Sequence, residues 1–177
     1  MGGLETPRLI LRPFVDADAA DVYDYAKDPR VGPDAGWPPH KNEGESLEVI
    51  RTAFAAPHVF AMELKCSGKV VGSVGYVDRH QTLLPGPDDE IGYALGVPYW
   101  GQGLVPEAVR EVLRYGFEDR GLAVQWCGHY DFNHNSRRVV EKIGFGYQFT
   151  APVYVTLMGE MRTELHYALT REDWQHG

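Results

Sequence analysis

Cysteine is scarce in this chain. Only Cys66 and Cys127 occur among 177 residues, far apart and in no C-x-x-C pair. That scarcity excludes a disulfide framework or a zinc knot, and both residues read as buried free thiols. Positive charge is also short, with 17 Lys and Arg against 25 Asp and Glu, a formal net charge of -8. Grip on a nucleic-acid backbone needs a basic face, so nucleic acid is excluded as a partner. An acidic surface instead suits a cationic acceptor such as an amine. No stretch approaches the ~20 apolar residues of a membrane span. The opening Met1-Gly2-Gly3-Leu4-Glu5 lacks the basic-then-apolar order of a signal peptide. Both absences point to a soluble, cytoplasmic protein without membrane contact. Internal repeats, low-complexity tracts and a G-x-x-x-x-G-K-S/T phosphate loop are missing too, which argues against a solenoid and against a nucleotide-dependent ligase or kinase. The seven histidines are scattered, and the pair His129 and His134 around Asp131 fits no ligand spacing. No metal site is expected.

What is present suffices for one ordinary core. At 177 residues and 44% apolar content, the chain reads as a single domain, 1–177, with its core at about 6–171. Strand-like and helix-like segments alternate. Arg8 to Arg12 alternates as a short strand; Asp16 to Lys27 reads as a helix capped by Asp16, with Ala19, Val22, Tyr23 and Ala26 on one stripe. Residues 28–44 are proline- and glycine-rich around Trp37, and Glu45 to Phe54 is helical again. Val59–Leu64 and Val70–Val77 form a hairpin across Cys66-Ser67-Gly68-Lys69. After a polar linker from His80 to Asp89 come a strand at Glu90–Val97, a helix at Leu104–Asp119 and a strand at Val124–His129. A short helix at Ser136–Ile143 stops at Gly144, and strands near Phe149–Thr156 and Arg162–Leu169 finish the chain. The fold class is α/β or α+β, with a mixed sheet of about seven strands, antiparallel at its start.

The most informative stretch is Tyr99-Trp100-Gly101-Gln102-Gly103-Leu104-Val105-Pro106-Glu107-Ala108. A tight glycine turn runs straight into an amphipathic helix, leaving main-chain N–H groups free at the positive end of a helix dipole. That is a seat for a phosphate group. The dinucleotide fingerprint wants a third glycine where this chain has Pro106, so a nicotinamide enzyme is not indicated.

Three further motifs accompany the turn: Glu90-Ile91-Gly92-Tyr93, then Asn133-x-x-Ser136-x-x-Val139-x-Glu141-Lys142-x-Gly144-Phe145, and the opening Thr6-Pro7-Arg8-Leu9-x-Leu11-Arg12-Pro13. In this order, from about Leu4 to Trp174, they resemble the GCN5-related N-acetyltransferases (GNAT). Within that family they look most like the ribosomal-protein serine/alanine N-terminal acetyltransferases. The resemblance implies acetyl-CoA as acetyl donor, no metal, and a sheet split between two central parallel strands to hold the pantetheine arm. Leu95 and Val97 would offer it backbone groups. The diphosphate would lie on the amides of Gly101, Gln102, Gly103, Leu104 and Val105, where a Cβ on the glycines would block its approach. Pro106 is tolerated because its missing N–H has no helical partner there. Two departures stand out, Trp100 where Arg or Gln is usual and Val105 where a small residue is usual.

The chemistry implied is direct transfer of acetyl to a primary amine, with Glu90 as base and Ser136 near the sulfur. Asp88 and Asp89, expected to be solvated in the linker, are weaker competitors for the base. Glu90 as an ordinary salt-bridge residue stays open. Many relatives place a tyrosine four residues before the Gly-Phe as acid to the thiolate; here Val140 leaves that role vacant, and Ser136 is the substitute. Ser136 as a plain helix cap also stays open. Asn133 would bond the pantetheine or set the short helix, and Arg137, with Arg138 and Lys142, would meet the CoA phosphates. Trp37 and Tyr93 would border the acceptor. The acceptor is expected to be a protein N-terminus, with a small amine next; a non-catalytic acyl-CoA-binding domain is the other class. A homodimer is compatible with the family.

Overall fold

Alternating short apolar periodicities are resolved, in the computed structural model, into one sheet with helices on both faces. The structure describes residues 3–77, 79–81 and 83–176. Met1 and Gly2 of the opening pentapeptide and Thr82 of the linker lie outside the described residues. In chain order the strands are β1 (Leu4–Glu5), β2 (Leu9–Arg12), β3 (Val59–Leu64), β4 (Val70–Val77), β5 (Asp88–Leu95), β6 (Val124–Tyr130), β7 (Gly146–Val155) and β8 (Glu160–Thr170). They lie side by side in the order β1-β2-β3-β4-β5-β6-β8-β7. Among the described residues, only β5 and β6 pair in parallel, and only from Asp88–Val124 to Ile91–Cys127.

Period-two alternation separates the two faces. Phe60, Met62, Val71 and Leu95 face one side, while Ala61, Val70 and Ala94 face the other. The first side is covered by α4 (Leu104–Arg114), whose Leu104, Val105, Ala108, Val109, Val112 and Leu113 form a buried stripe. α5 (His134–Ile143) adds Val140 to the same core. The second side is covered by α1 (Ala19–Ala26) and α3 (Glu43–Arg51). Each large apolar side chain buried in this way stabilises by roughly 1.5–3 kcal/mol.

Several expectations need correcting. Among the described residues the sheet has eight strands where about seven are expected, because Leu4–Glu5 adds an edge. Asp16 does not cap α1. It sits in a 3-10 turn and pairs with Arg51, while buried Asp18 accepts the Val15 N–H and the Arg12 guanidinium. The α1 stripe uses Tyr25 rather than Tyr23. Residues 28–44 contain a one-turn helix, α2 (Gly32–Ala35), and α3 starts early because the Asn42 side chain accepts from Glu45 N–H. After Arg114 the helix widens into a π turn over Tyr115–Asp119. Just before it, buried Tyr76 and Gln125 donate to the carbonyls of Val112 and Leu113. A final helix, α6 (Arg171–His176), follows Thr170, whose hydroxyl accepts the Asp173 N–H. Cys127 is buried as expected, but Cys66 is exposed on the β3–β4 turn.

Candidate active site

The parallel pairing of β5 and β6 stops at Ile91 and Cys127, although both strands continue. Beyond that point, among the described residues, β5 is bonded only to β4 and β6 only to β8. A cavity of about 420 Å³ opens in this split, lined by β5, the glycine turn, the end of β6 and the start of α5. Its walls are main chain that has lost its neighbour. That is an unusual supply of free backbone donors and acceptors inside a fold.

At one end of the cavity lies the glycine turn. Gly101 and Gly103 have φ of 74° and 77°, and helix α4 begins at Leu104. The first intrahelical bond runs from the Glu107 N–H to the Gly103 carbonyl at 3.1 Å. The N–H groups from Gly101 to Val105 have no hydrogen-bond acceptor among the described residues. A Cβ built on Gly101 would meet nothing within 4 Å, so the glycines serve the backbone conformation and leave the surface open. The turn is clamped from behind. Arg8 donates to the Gln102 carbonyl at 2.9 Å and to Glu107 at 2.7 Å, and Glu107 also accepts from the Thr6 hydroxyl at 2.6 Å. Thus the opening Thr6-Pro7-Arg8 motif and the Glu107 of the turn motif are one hydrogen-bonded unit.

At the other end sits Glu90, 3% exposed. Its Oε1 accepts from Arg79 at 3.0 Å, and Arg79 also reaches Glu164 at 2.8 Å. Glu90 Oε2 is buried with no hydrogen-bond partner of normal geometry among the described residues, although the Gln81 amide lies near enough to favour the ionised form slightly. Burial pushes the Glu90 carboxyl up to about 6, the Arg79 charge opposes that rise and the Glu164 charge adds to it. Gly128 passes so close to Glu164 that a Cβ would stand 2.8 Å from its Oε1. Glu164 and His166 approach at 3.6 Å, and burial holds His166 below its usual range.

Between the two ends Ser136 and Tyr93 meet, hydroxyl to hydroxyl, at 2.6 Å. Ser136 is not the cap of α5. Asn133 is, accepting the Ser136 N–H at 3.0 Å while its amide donates to the Asp34 carbonyl. The Ser136 hydroxyl is therefore free for other partners. Glu90, Tyr93, Leu95, Gly101, Gly103, Leu104, Val105, Asn133 and Ser136 all line the cavity.

Other expected residues lie elsewhere. Val97 falls in a 3-10 turn, its carbonyl taken by Trp100 N–H, and the Leu95 carbonyl is taken by the Trp100 indole at 2.8 Å. Gln102 faces a shallow charged groove behind the turn. Arg137 is exposed and paired with Glu141, whereas Arg138 and Lys142 line the cavity. Trp37 packs on Gly32 and the α1–α3 core; its neighbours Arg30, Val31, Asp34 and Ala35 line the cavity instead. Asp89 is buried on β5 and paired with Arg120 at 3.0 Å, and Asp88 bonds the Gln81 N–H, so neither is solvated in a linker. Arg79 and Glu164 were not anticipated. An arginine just before a polar linker and a glutamate on a late strand carry no local pattern that marks them.

The acetyltransferase (GNAT) domain model matches residues 8–146. The chain belongs to the GNAT acetyltransferase family. It is similar to the uncharacterized N-acetyltransferase YoaA of Bacillus subtilis, 28% identical over 151 residues, covering 80% of this chain and 81% of that one. It is also similar to the ribosomal protein uS5-alanine N-acetyltransferase of Escherichia coli, 28% identical over 87 residues, 49% of this chain and 45% of that one. A solved GNAT-family acetyltransferase from Bacillus anthracis superposes with a TM-score of 0.84 at 23% identity, covering 96% of this chain and 99% of that one, which shows the shared fold. This GNAT chain is an acetyl-CoA-dependent acetyltransferase. Among the described residues, no helix is long and apolar enough to cross a membrane.

Proposed function

We propose that this single domain moves acetyl from acetyl-CoA directly to a primary amine, with a protein N-terminus as the acceptor. The observation that carries the reading is Glu90, a buried carboxylate with an unpartnered oxygen at the point where the sheet splits. The rest of the cavity fits an acyl-coenzyme A. Free N–H groups from Gly101 to Val105 suit a diphosphate, with Arg138 and Lys142 close by, and unpaired strand edges suit the amides of an extended arm. Bound there, the thioester supplies an activated acyl carbon with a thiolate of pKa about 8.5 as leaving group.

The acceptor amine is protonated at neutral pH and must lose a proton before it attacks. Glu90, at about 6, is ionised there and takes it. The cost depends on the amine. An α-amino group near pKa 8 lies about two units above Glu90, or roughly 2.5 kcal/mol; a lysine-type amine near 10.4 costs roughly 6 kcal/mol. That difference favours a peptide N-terminus over a basic small amine, as does the likeness to an enzyme named for a ribosomal-protein alanine. Ser136 donates a hydrogen bond to the sulfur as charge develops on it.

Thiol release from acetyl-CoA, measured against peptides with N-terminal Ser or Ala and against small amines, tests the reading. Release with N-terminal peptides, lowered about 100-fold or more in Glu90→Gln with coenzyme A binding intact, is expected. Tight coenzyme A binding without release for any acceptor would make this a binding domain instead.

A further inference from the structure

Tyr93 is a hydrogen-bonding residue of the cavity that the acetyl-transfer scheme above does not use. Its phenol oxygen stands 2.6 Å from Ser136 Oγ and 3.5 Å from the Ser136 carbonyl, with the buried Cys127 sulfur 4.0 Å away. We propose that Tyr93 is a positioning residue, donating to Ser136 Oγ so that the serine's own proton is turned toward the cavity and the departing sulfur.

The direction of the bond follows from who can donate to whom. A hydroxyl has one proton and two lone pairs. The phenol's neighbours are two serine oxygens and a thiol; burial pushes the Cys127 thiol up to about 12, so it stays protonated, and at 4.0 Å its sulfur is a poor acceptor beside the serine oxygens while its S–H points to the phenol. The phenol proton therefore goes to Ser136, at 2.6 Å to the hydroxyl or 3.5 Å to the carbonyl. The first is a strong bond; the second is at the limit of one. Choosing the first leaves Ser136 as acceptor from Tyr93 and frees its O–H. Its main chain is fixed at the same time by the Asn133 cap at 3.0 Å. The chain of donation runs Cys127, Tyr93, Ser136, cavity. Each member is polarised in the same sense, which strengthens the last donor. Burial also pushes the Tyr93 phenol well above its usual value, so it keeps its proton and serves as a fixed donor. In this chain a tyrosine on β5, acting through a serine on α5, supports the position that Val140 leaves empty.

This inference rests on the proposed acetyl transfer and is tested within it by a double-mutant cycle on Tyr93→Phe and Ser136→Ala, with kcat and the KM for acetyl-CoA as readouts. Each single variant should lose about tenfold in kcat with KM within about twofold. The double variant should be no slower than Ser136→Ala alone, because Tyr93 acts only through Ser136. Full kcat in Tyr93→Phe, full kcat in Ser136→Ala, or losses that multiply would overturn the proposal while leaving acetyl transfer standing. Absence of thiol release in the wild type would instead remove the reading on which it rests. Should Tyr93→Phe not fold, 3-fluorotyrosine at position 93 keeps the ring and sharpens the donor. Its kcat should change in the Ser136 enzyme and not in the Ser136→Ala enzyme; the same change in both refutes it.

Discussion

Replacing Arg79 by methionine isolates the electrostatics of the proposed base. Arg79 holds Glu90 at 3.0 Å and Glu164 at 2.8 Å. At an effective dielectric near 20 a pair at ~4 Å is worth about 4 kcal/mol, and in water about 1. The Arg79 side chain is 40% exposed, which places the interaction toward the lower figure. We take about 1.4 kcal/mol, one pKa unit. Without Arg79, Glu90 also faces Glu164 with no cation between them, and the two carboxylates titrate as a coupled pair. The apparent pKa of Glu90 should rise from about 6 to roughly 7. The base works only when ionised, so activity falls as pH drops through that value, and the variant should fail at higher pH than the wild type. The ratio of variant to wild-type kcat/KM at each pH cancels the titration of the amine itself. That ratio should be near one at pH 8.5 and roughly eightfold lower at pH 5.5, and Arg79→Lys should restore most of it. A ratio that does not vary with pH, or that rises in acid, would refute the assignment of Glu90.

The same carboxylate carries a stability signature. Its folded pKa is raised from 4.5 to about 6, so ionised Glu90 costs roughly 2 kcal/mol above pH 6 and nothing below pH 4.5. Glu90→Gln should therefore be more stable than wild type in urea at pH 7.5, with the gain fading as pH falls to 4.5. Arg8→Ala removes the clamp behind the glycine turn; it should raise the KM for acetyl-CoA about tenfold while changing stability by less than about 1 kcal/mol, since Arg8 is half exposed. In Gly103→Ala the new Cβ has room, the nearest atom being 3.6 Å away, but φ is +77°. A loss of about 1 kcal/mol by thermal melting is expected, together with weaker coenzyme A binding by calorimetry.

Much of the fold was legible because its signals are local. The α4 stripe, the Val59–Val77 hairpin and the stop at Gly144 each rest on spacing within one segment. What was missed depends on distant partners. The π turn after Arg114 lies beside Tyr76 and Gln125, which reach the α4 carbonyls of Val112 and Leu113 from two other strands. Trp37 reads as a binding aromatic, but packing against Gly32 claims it for the core. α6 was missed although its cap is local: the Thr170 hydroxyl accepts the Asp173 N–H.

At the site, the motif residues Gly101, Gly103 and Val105, whose expected role rests on backbone, line the cavity. Side-chain partners were less readable. Arg79 and Glu164 are 85 residues apart, and only the pairing of β6 with β8 carries Glu164 to the split. Val97 lies in a 3-10 turn and Arg137 on an exposed helix face paired with Glu141, placements set by local geometry that their spacing does not reveal.

A crystal of the protein with coenzyme A bound tests the account most directly. The diphosphate should accept hydrogen bonds from the main-chain N–H groups between Gly101 and Val105, and the sulfur should lie beside Ser136 on the Glu90 side of the cavity. A diphosphate held elsewhere, or a sulfur pointing away from both side chains, would contradict the account.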